Sequence, residues 1–265
     1  MSYQTHHAFI EPRDRSARLW RYMDLPRFLS ILDKNALFFP SVATLAELDP
    51  FEGEPALAKV RDARALGADE LRRLSLQYQV FKRLNFFSSW HMNDNESDAM
   101  WKIYMKGSEG IAIQSTVKRL IESFQNAQDT VYLGEVQYAD HAKLVATTGT
   151  PLGLSDYMFK RRAFAHEREV RAGTYRSDVR IEFFDEAGLL KVPPPGVVAA
   201  DVLLTPERKG VYVDVDLPTL VERIVISPLS PNWFSDLVIS TCRRFGYTFE
   251  TVSSEMTRPS ALSSA

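Results

Sequence analysis

From residue 18 to residue 252 the chain alternates short aromatic- or β-branched-rich runs with amphipathic stretches, and no linker interrupts the pattern. This alternation most constrains the fold. A run of period two needs a sheet, and apolar residues three and four apart need a helix packed against it. Strands are expected at 18–23, 36–39, 85–91, 111–115 and 130–138. From 167 onward strands dominate, at 169–175, 179–184, 211–215, 223–227 and 247–252. Helices are expected from Asp24, a capping residue followed by Pro26, to about 35, and over 68–83, where Leu71, Leu74, Tyr78 and Phe81 mark one face. Further helices are expected around Met100, Trp101, Tyr104 and Met105, and over 116–124, 155–165 and 233–245. Residues 48–55 form a loop with carboxylates on it, 147–153 is turn-rich, and 192–196 is a stiff polyproline turn.

No repeat is visible, so the expectation is one α+β domain over residues 17–252, with a mixed, split β-sheet flanked by helices. Residues 1–16 are expected to be a loose, flexible arm, and the Ser-rich residues 253–265 a disordered tail.

Composition narrows the setting. The net charge of −2 argues against a general nucleic-acid coat while leaving room for a local basic patch. Cys242 is the single cysteine, which excludes an intramolecular disulfide and a cysteine-rich zinc site, and is read as a small apolar helix residue. No secretory signal and no run of about 18 apolar residues is visible. These features favour a reducing cytoplasm.

There is no Gly-rich phosphate loop, no His-x-x-x-His and no Gly-x-Ser-x-Gly. What remains is a constellation. Glu167 and Glu169 lie two apart where helix gives way to strand, so both carboxylates are expected on one strand face. Residues 160–180 hold seven basic side chains (Lys160, Arg161, Arg162, Arg168, Arg171, Arg176 and Arg180) against three acidic ones, an excess that could face a phosphate. The plainer alternative is a solvated strand with cross-strand ion pairs. Arg21 stands between aromatics on the first strand, where it could fork onto a pyrophosphate or carry its head group to water. Ser88 and Ser89 stand between Phe87 and Trp90, with one hydroxyl facing inward. Trp101 and Tyr104 fit a helix packing face, with core as the default for both.

In order along the chain, Leu19-Trp20-Arg21-Tyr22, Asp49-Pro50-Phe51-Glu52 and Phe87-Ser88-Ser89-Trp90 resemble motifs of the bacterial family known as DUF2971. So do Met100-Trp101-Lys102-Ile103-Tyr104, Glu109-Gly110-Ile111-Ala112-Ile113 and Glu167-Arg168-Glu169-Val170-Arg171. More distantly, the order of arginine, serine pair and Glu-x-Glu is similar to the Arg-Ser-Glu pattern of ADP-ribosyltransferases, with Ser88-Ser89-Trp90 where Ser-Thr-Ser is usual. That resemblance implies NAD as the substrate cofactor and Arg21 as a ligand of its phosphates or ribose. It implies that Ser88 or Ser89 positions the nicotinamide ribose and the catalytic carboxylate. Glu169 would be the catalytic glutamate, Glu167 would orient the acceptor, and Tyr104 would stack on the nicotinamide. The implied acceptor is nucleic acid or protein, in a toxin or phage-defence setting. Two alternatives stand beside it: a non-catalytic binding or regulatory domain that recognises a partner through its Arg/Glu-rich strand, and a metal-independent nuclease.

Overall fold

A seven-stranded sheet orders the molecule. It is built from β1 (Arg18–Asp24), β3 (Asn85–Met92), β4 (Gly110–Thr116), β5 (Tyr132–Glu135), β8 (Glu169–Tyr175), β10 (Arg223–Ile226) and β11 (Thr251–Ser253), in the spatial order β11-β10-β4-β1-β3-β8-β5. The β10–β11 pair is parallel and the others are antiparallel, so the sheet is mixed. Two small sheets accompany it: β2 (Ala36–Pro40) with β9 (Gly210–Asp214), and β6 (Gln137–Ala139) with β7 (Phe159–Arg161). This is a computed structural model, and it describes residues 2–7, 9–47, 49, 51–52, 67–105, 107–140, 154–176, 191 and 208–257. The strand expected at 179–184 and the turns at 147–153 and 192–196 lie outside the described residues.

Strand alternation divides the interior into two faces. Leu19, Met23, Phe86, Trp90, Ile111, Ile113, Val170, Ala172, Ile224 and Ile226 belong to the larger core. Helices cover it, chiefly α1 (Leu25–Lys34), α5 (Val117–Ser123) and α7 (Asn232–Arg244), which supply Phe28, Ile31, Leu32, Leu120, Phe234 and Val238. Cys242 is buried in the same core, as a small apolar residue should be. The other face carries smaller clusters. Trp20 and Tyr22 pack with Met100 and Trp101 of α4 (Asp98–Tyr104), and Phe87 packs with Phe9, Val42, Tyr157 and Met158. The remaining helices are α2 (Val42–Leu45), α3 (Ala68–Leu84) and α6 (Leu217–Leu220). No helix among the described residues is long and apolar enough to cross a membrane.

Local chemistry explains the element boundaries. Asp24 accepts a hydrogen bond from the Arg27 amide and starts α1, and Asn35 ends it in the left-handed region at φ 49°. Four expectations need correction. The helix expected at 155–165 is instead a 3-10 turn (Leu154–Met158), β7, and a second 3-10 turn (Arg162–Glu167), because β7 pairs with β6 and turns Lys160 and Arg161 onto carboxylates. The strand expected at 130–138 breaks at Val136, whose amide donates to the Glu169 carbonyl. The arm expected to be loose is anchored: Tyr3 bridges Val131, and Phe9 is buried in the smaller core. At the other end Ser254 is buried and its hydroxyl donates to Glu96, while 258–265 lie outside the described residues.

The sheet has a seam. β1 pairs with β4 over seven residues, but with β3 only at Leu19–Met92 and Trp20–His91. Further along, β3 meets Ser41 at Phe86. Between these two points β1 and β3 have left the ladder, and the sheet is split there.

Candidate functional site

Arg21 sits just beyond the last β1–β3 pair. Alternation sets it on the larger-core face with Leu19 and Met23, where a guanidinium must find partners or stay desolvated. Its Nη1 donates to the Ser88 hydroxyl of β3 and its Nη2 to the Phe38 carbonyl, 3.2 Å away in β2. The arginine therefore bridges the strands where their backbone ladder has ended. Its carbon Cζ lies 5.6 Å from the Trp90 ring centroid. No carboxylate among the described residues pairs with it. Burial pulls the guanidinium down to about 10, with Arg27 pulling the same way and only the Tyr104 hydroxyl opposing. The indole Nε1 of Trp90 is a buried donor with no partner among the described residues. A guanidinium without a counter-charge beside one unmet indole donor makes this an anion-seeking position.

The carboxylates stand on the opposite face, with Ser89 and His91 of β3 and Glu169 and Arg171 of β8. His91 is cross-strand from Glu169, and Ser89 from Arg171. Glu169 is 5% exposed, and Arg171 Nε donates to its Oε1 at 2.7 Å. The same guanidinium reaches Glu52 through both terminal nitrogens, and also donates to the Tyr157 carbonyl. Lys160 Nζ lies 2.9 Å from Glu169 and forms a second ion pair with Glu167. Burial pushes the Glu169 carboxyl up, but Arg171 and Lys160 outweigh it, with a hydrogen bond from Ser89 helping, so the group is held far below the usual carboxylate range. Glu167 is raised: burial leads, Lys160 opposes, and Glu169 adds to the rise. Three carboxylates (Glu52, Glu167, Glu169) face two cations (Lys160, Arg171), which leaves one net negative charge.

The premise about Glu167 is corrected. It lies outside the strand, at the end of a 3-10 turn, and Arg168 follows in the left-handed region at φ 41°. The two glutamates meet at Lys160 and not through strand alternation. The basic excess is also mostly spent within the chain: Arg161 pairs with Asp49, Arg176 with Asp129, and Arg168 Nη1 donates to Asn93. Arg180 lies outside the described residues. Arg21, on another strand, has no carboxylate partner among the described residues.

The serine pair divides its work. Ser88 accepts from Arg21 on one face, and Ser89 supports Glu169 on the other. Tyr104 is not core, being 37% exposed, whereas Trp101 is buried. Burial pushes the Tyr104 hydroxyl up to about 12, reinforced by Glu167 and Glu169, and the same hydroxyl acts on Arg21. Tyr104 is thus within electrostatic reach of both halves of the constellation.

Several residues of the site were not singled out from sequence. Glu52 joins Arg171 from 119 positions away, and no local pattern announces that. Lys160 counts in the sequence only as part of a basic excess, and Arg171 as part of that excess and of the run from Glu167 to Arg171, with no role of its own. His91 had a signal, since it is two residues after Ser89 on a strand and must share its face. A separate concavity of about 320 Å³, lined by Asn35, Ser123, Asn126, Asp214, Asp216 and Tyr247 among others, shares no residue with this constellation. No family model, curated protein or solved structure matches the chain.

Proposed function

We propose that this chain is an ADP-ribosyltransferase-like protein that binds NAD in the split between β1 and β3 and transfers ADP-ribose to a nucleic-acid or protein acceptor in the cytoplasm. The observation that carries the reading is Arg21, a desolvated guanidinium with no carboxylate partner among the described residues, tied to the first residue of the serine pair. A partly buried guanidinium without a counter-charge is costly to a fold, and an anionic ligand removes that cost. A pyrophosphate offers two acceptor oxygens to its planar fork.

In the reaction the bond between ribose C1′ and the nicotinamide nitrogen breaks, and its electron pair leaves with neutral nicotinamide. The ribosyl cation that develops resembles that of glycoside cleavage. Glu169, backed by the net negative charge of its cluster, stabilises that cation. An acceptor nucleophile then bonds to C1′ and gives up its proton to the Glu167 carboxylate, whose raised value makes it the stronger base of the two glutamates.

The test is labelled NAD with wild type, Arg21→Met and Glu169→Gln. Arg21→Met is expected to weaken NAD binding by about ten- to a hundredfold, the worth of a charge-assisted hydrogen bond. Glu169→Gln is expected to bind NAD but to lower transfer by about a hundredfold or more. A second reading, a non-catalytic binding or regulatory domain, is favoured by one observation: two cations already neutralise Glu169. Wild-type protein that neither binds nor turns over NAD with varied acceptors selects it.

A further inference from the structure

His91 is 6% exposed, and neither the core packing nor the reaction above uses it. Its Nδ1 lies 2.6 Å from the backbone carbonyl of Glu167. A carbonyl can only accept, so Nδ1 carries the proton and Nε2 presents a lone pair. Burial lowers the imidazole below its ordinary value; the bond to the Glu167 carbonyl opposes this, and Arg168 adds to the lowering. The ring is therefore neutral, and its tautomer is fixed by the residue that also supplies one of the carboxylates.

The lone pair has nowhere to go. Nε2 is buried with no hydrogen-bond partner among the described residues. Leaving a buried acceptor unmet is more costly than putting an apolar ring in the same space. Its surroundings show what would meet it. His91 faces Glu169 across β3 and β8, shares its strand face with Ser89, and its ring centroid lies 6.4 Å from that of Tyr22. Carboxylates and a lone pair are acceptors alike, so this face calls for a ligand rich in donors. A sugar carrying neighbouring hydroxyls fits, and a phosphate does not.

We infer that His91 is a ligand-binding residue of this site, its Nε2 accepting a hydrogen bond from a ribose hydroxyl of the bound dinucleotide. The inference rests on the NAD reading and deepens it, by assigning the ribose to the Glu169 face and leaving the phosphates to Arg21. It also gives the Glu167 carbonyl a task, since moving the proton from Nδ1 to Nε2 would turn the acceptor into a donor.

The experiment uses the full chain labelled with ¹⁵N-histidine, with NAD itself as the probe. On NAD addition the His91 Nε2 resonance is expected to move upfield, as a bare lone pair does on accepting a proton donor, while Nδ1 stays protonated. His91→Phe is expected to raise the NAD Kd about tenfold. His91→Gln, whose amide oxygen reaches the Nε2 position, recovers most of that loss. The resonance in wild type needs no variant to fold. An Nε2 signal unmoved at saturating NAD, or His91→Phe binding as tightly as wild type, overturns the inference and leaves the NAD reading standing. Wild type that fails to bind NAD overturns both.

Discussion

A guanidinium carries five donors in a fixed fork, and Arg171 spends its fork on Glu52, Glu169 and the Tyr157 carbonyl while only 1% of its side chain is exposed. Removing it leaves two carboxylates buried, with Lys160 as the remaining cation. Arg171→Ala is therefore expected to cost about 3–5 kcal/mol in urea unfolding, the scale for a broken buried pair. Acid should expose the same dependence. Glu169 has a folded-state value below its ordinary 4.5, so its contribution is fully present above 4.5 and is lost as pH falls through the depressed value. Glu167 is shifted the other way and favours the fold only while protonated, so it opposes that trend. Thermal melts should show stability falling below pH 4.5, with a shallower fall in Glu169→Gln. A fall of equal steepness would mean that other carboxylates govern acid unfolding. Arg21 has the opposite economy, since it is desolvated without a counter-charge. Arg21→Met should leave unfolding free energy within about 1 kcal/mol of wild type, or raise it, even as NAD binding weakens. A residue kept for folding would show the reverse.

Strand β3 ties the element scale together. It pairs with β8 over seven residues, gives Phe86 and Trp90 to one core and Phe87 to the other, and places Ser88 and Ser89 on opposite faces. Its fit against β8 depends on Gly173, where an added Cβ would stand 2.5 Å from a Phe87 ring carbon held in a filled core. Gly173→Ala should destabilise the chain by about 1–3 kcal/mol in denaturant unfolding, the cost of overpacking. The helix and strand periods of β1, α1, β3, β4 and α7 were legible in sequence because each buries a face wide enough to write its period into the residues. Residues 155–165 were not legible. Lys160 is turned there onto Glu167 and Glu169 and Arg161 onto the distant Asp49, so polarity and exposure part company. For the same reason the sequence order Arg21, Ser88-Ser89, Glu169 was visible while its geometry was not. Residues 49–52 read from sequence as a loop with carboxylates. Two of its acids, Asp49 and Glu52, turn out to clamp Arg161 and Arg171.

At the scale of the whole molecule, the sheet is two half-sheets joined by a short seam. On one side β11, β10, β4 and β1 are laddered together, on the other β3, β8 and β5, and only two residue pairs join β1 to β3. Beyond those pairs the side chains of Arg21 and Ser88 bridge the strands in place of backbone bonds. Sheet stability is cooperative along a ladder, so an interrupted ladder marks the place where local opening costs least. Met92 sends its amide to Arg168 beside β8, so alternation turns the amides of His91 and Ser89 toward β1. His91 has a partner strand there and Ser89 does not. Native-state hydrogen exchange should therefore find the Ser89 amide less protected than those of His91 and of Val170 in the middle of β8. A dinucleotide lying in the split would have to close it, so NAD should raise protection at Ser89 while leaving Val170 unchanged. Ser89 protection equal to that of Val170 before any ligand is added would mean that the seam is closed in solution, and the split would then offer NAD no entry.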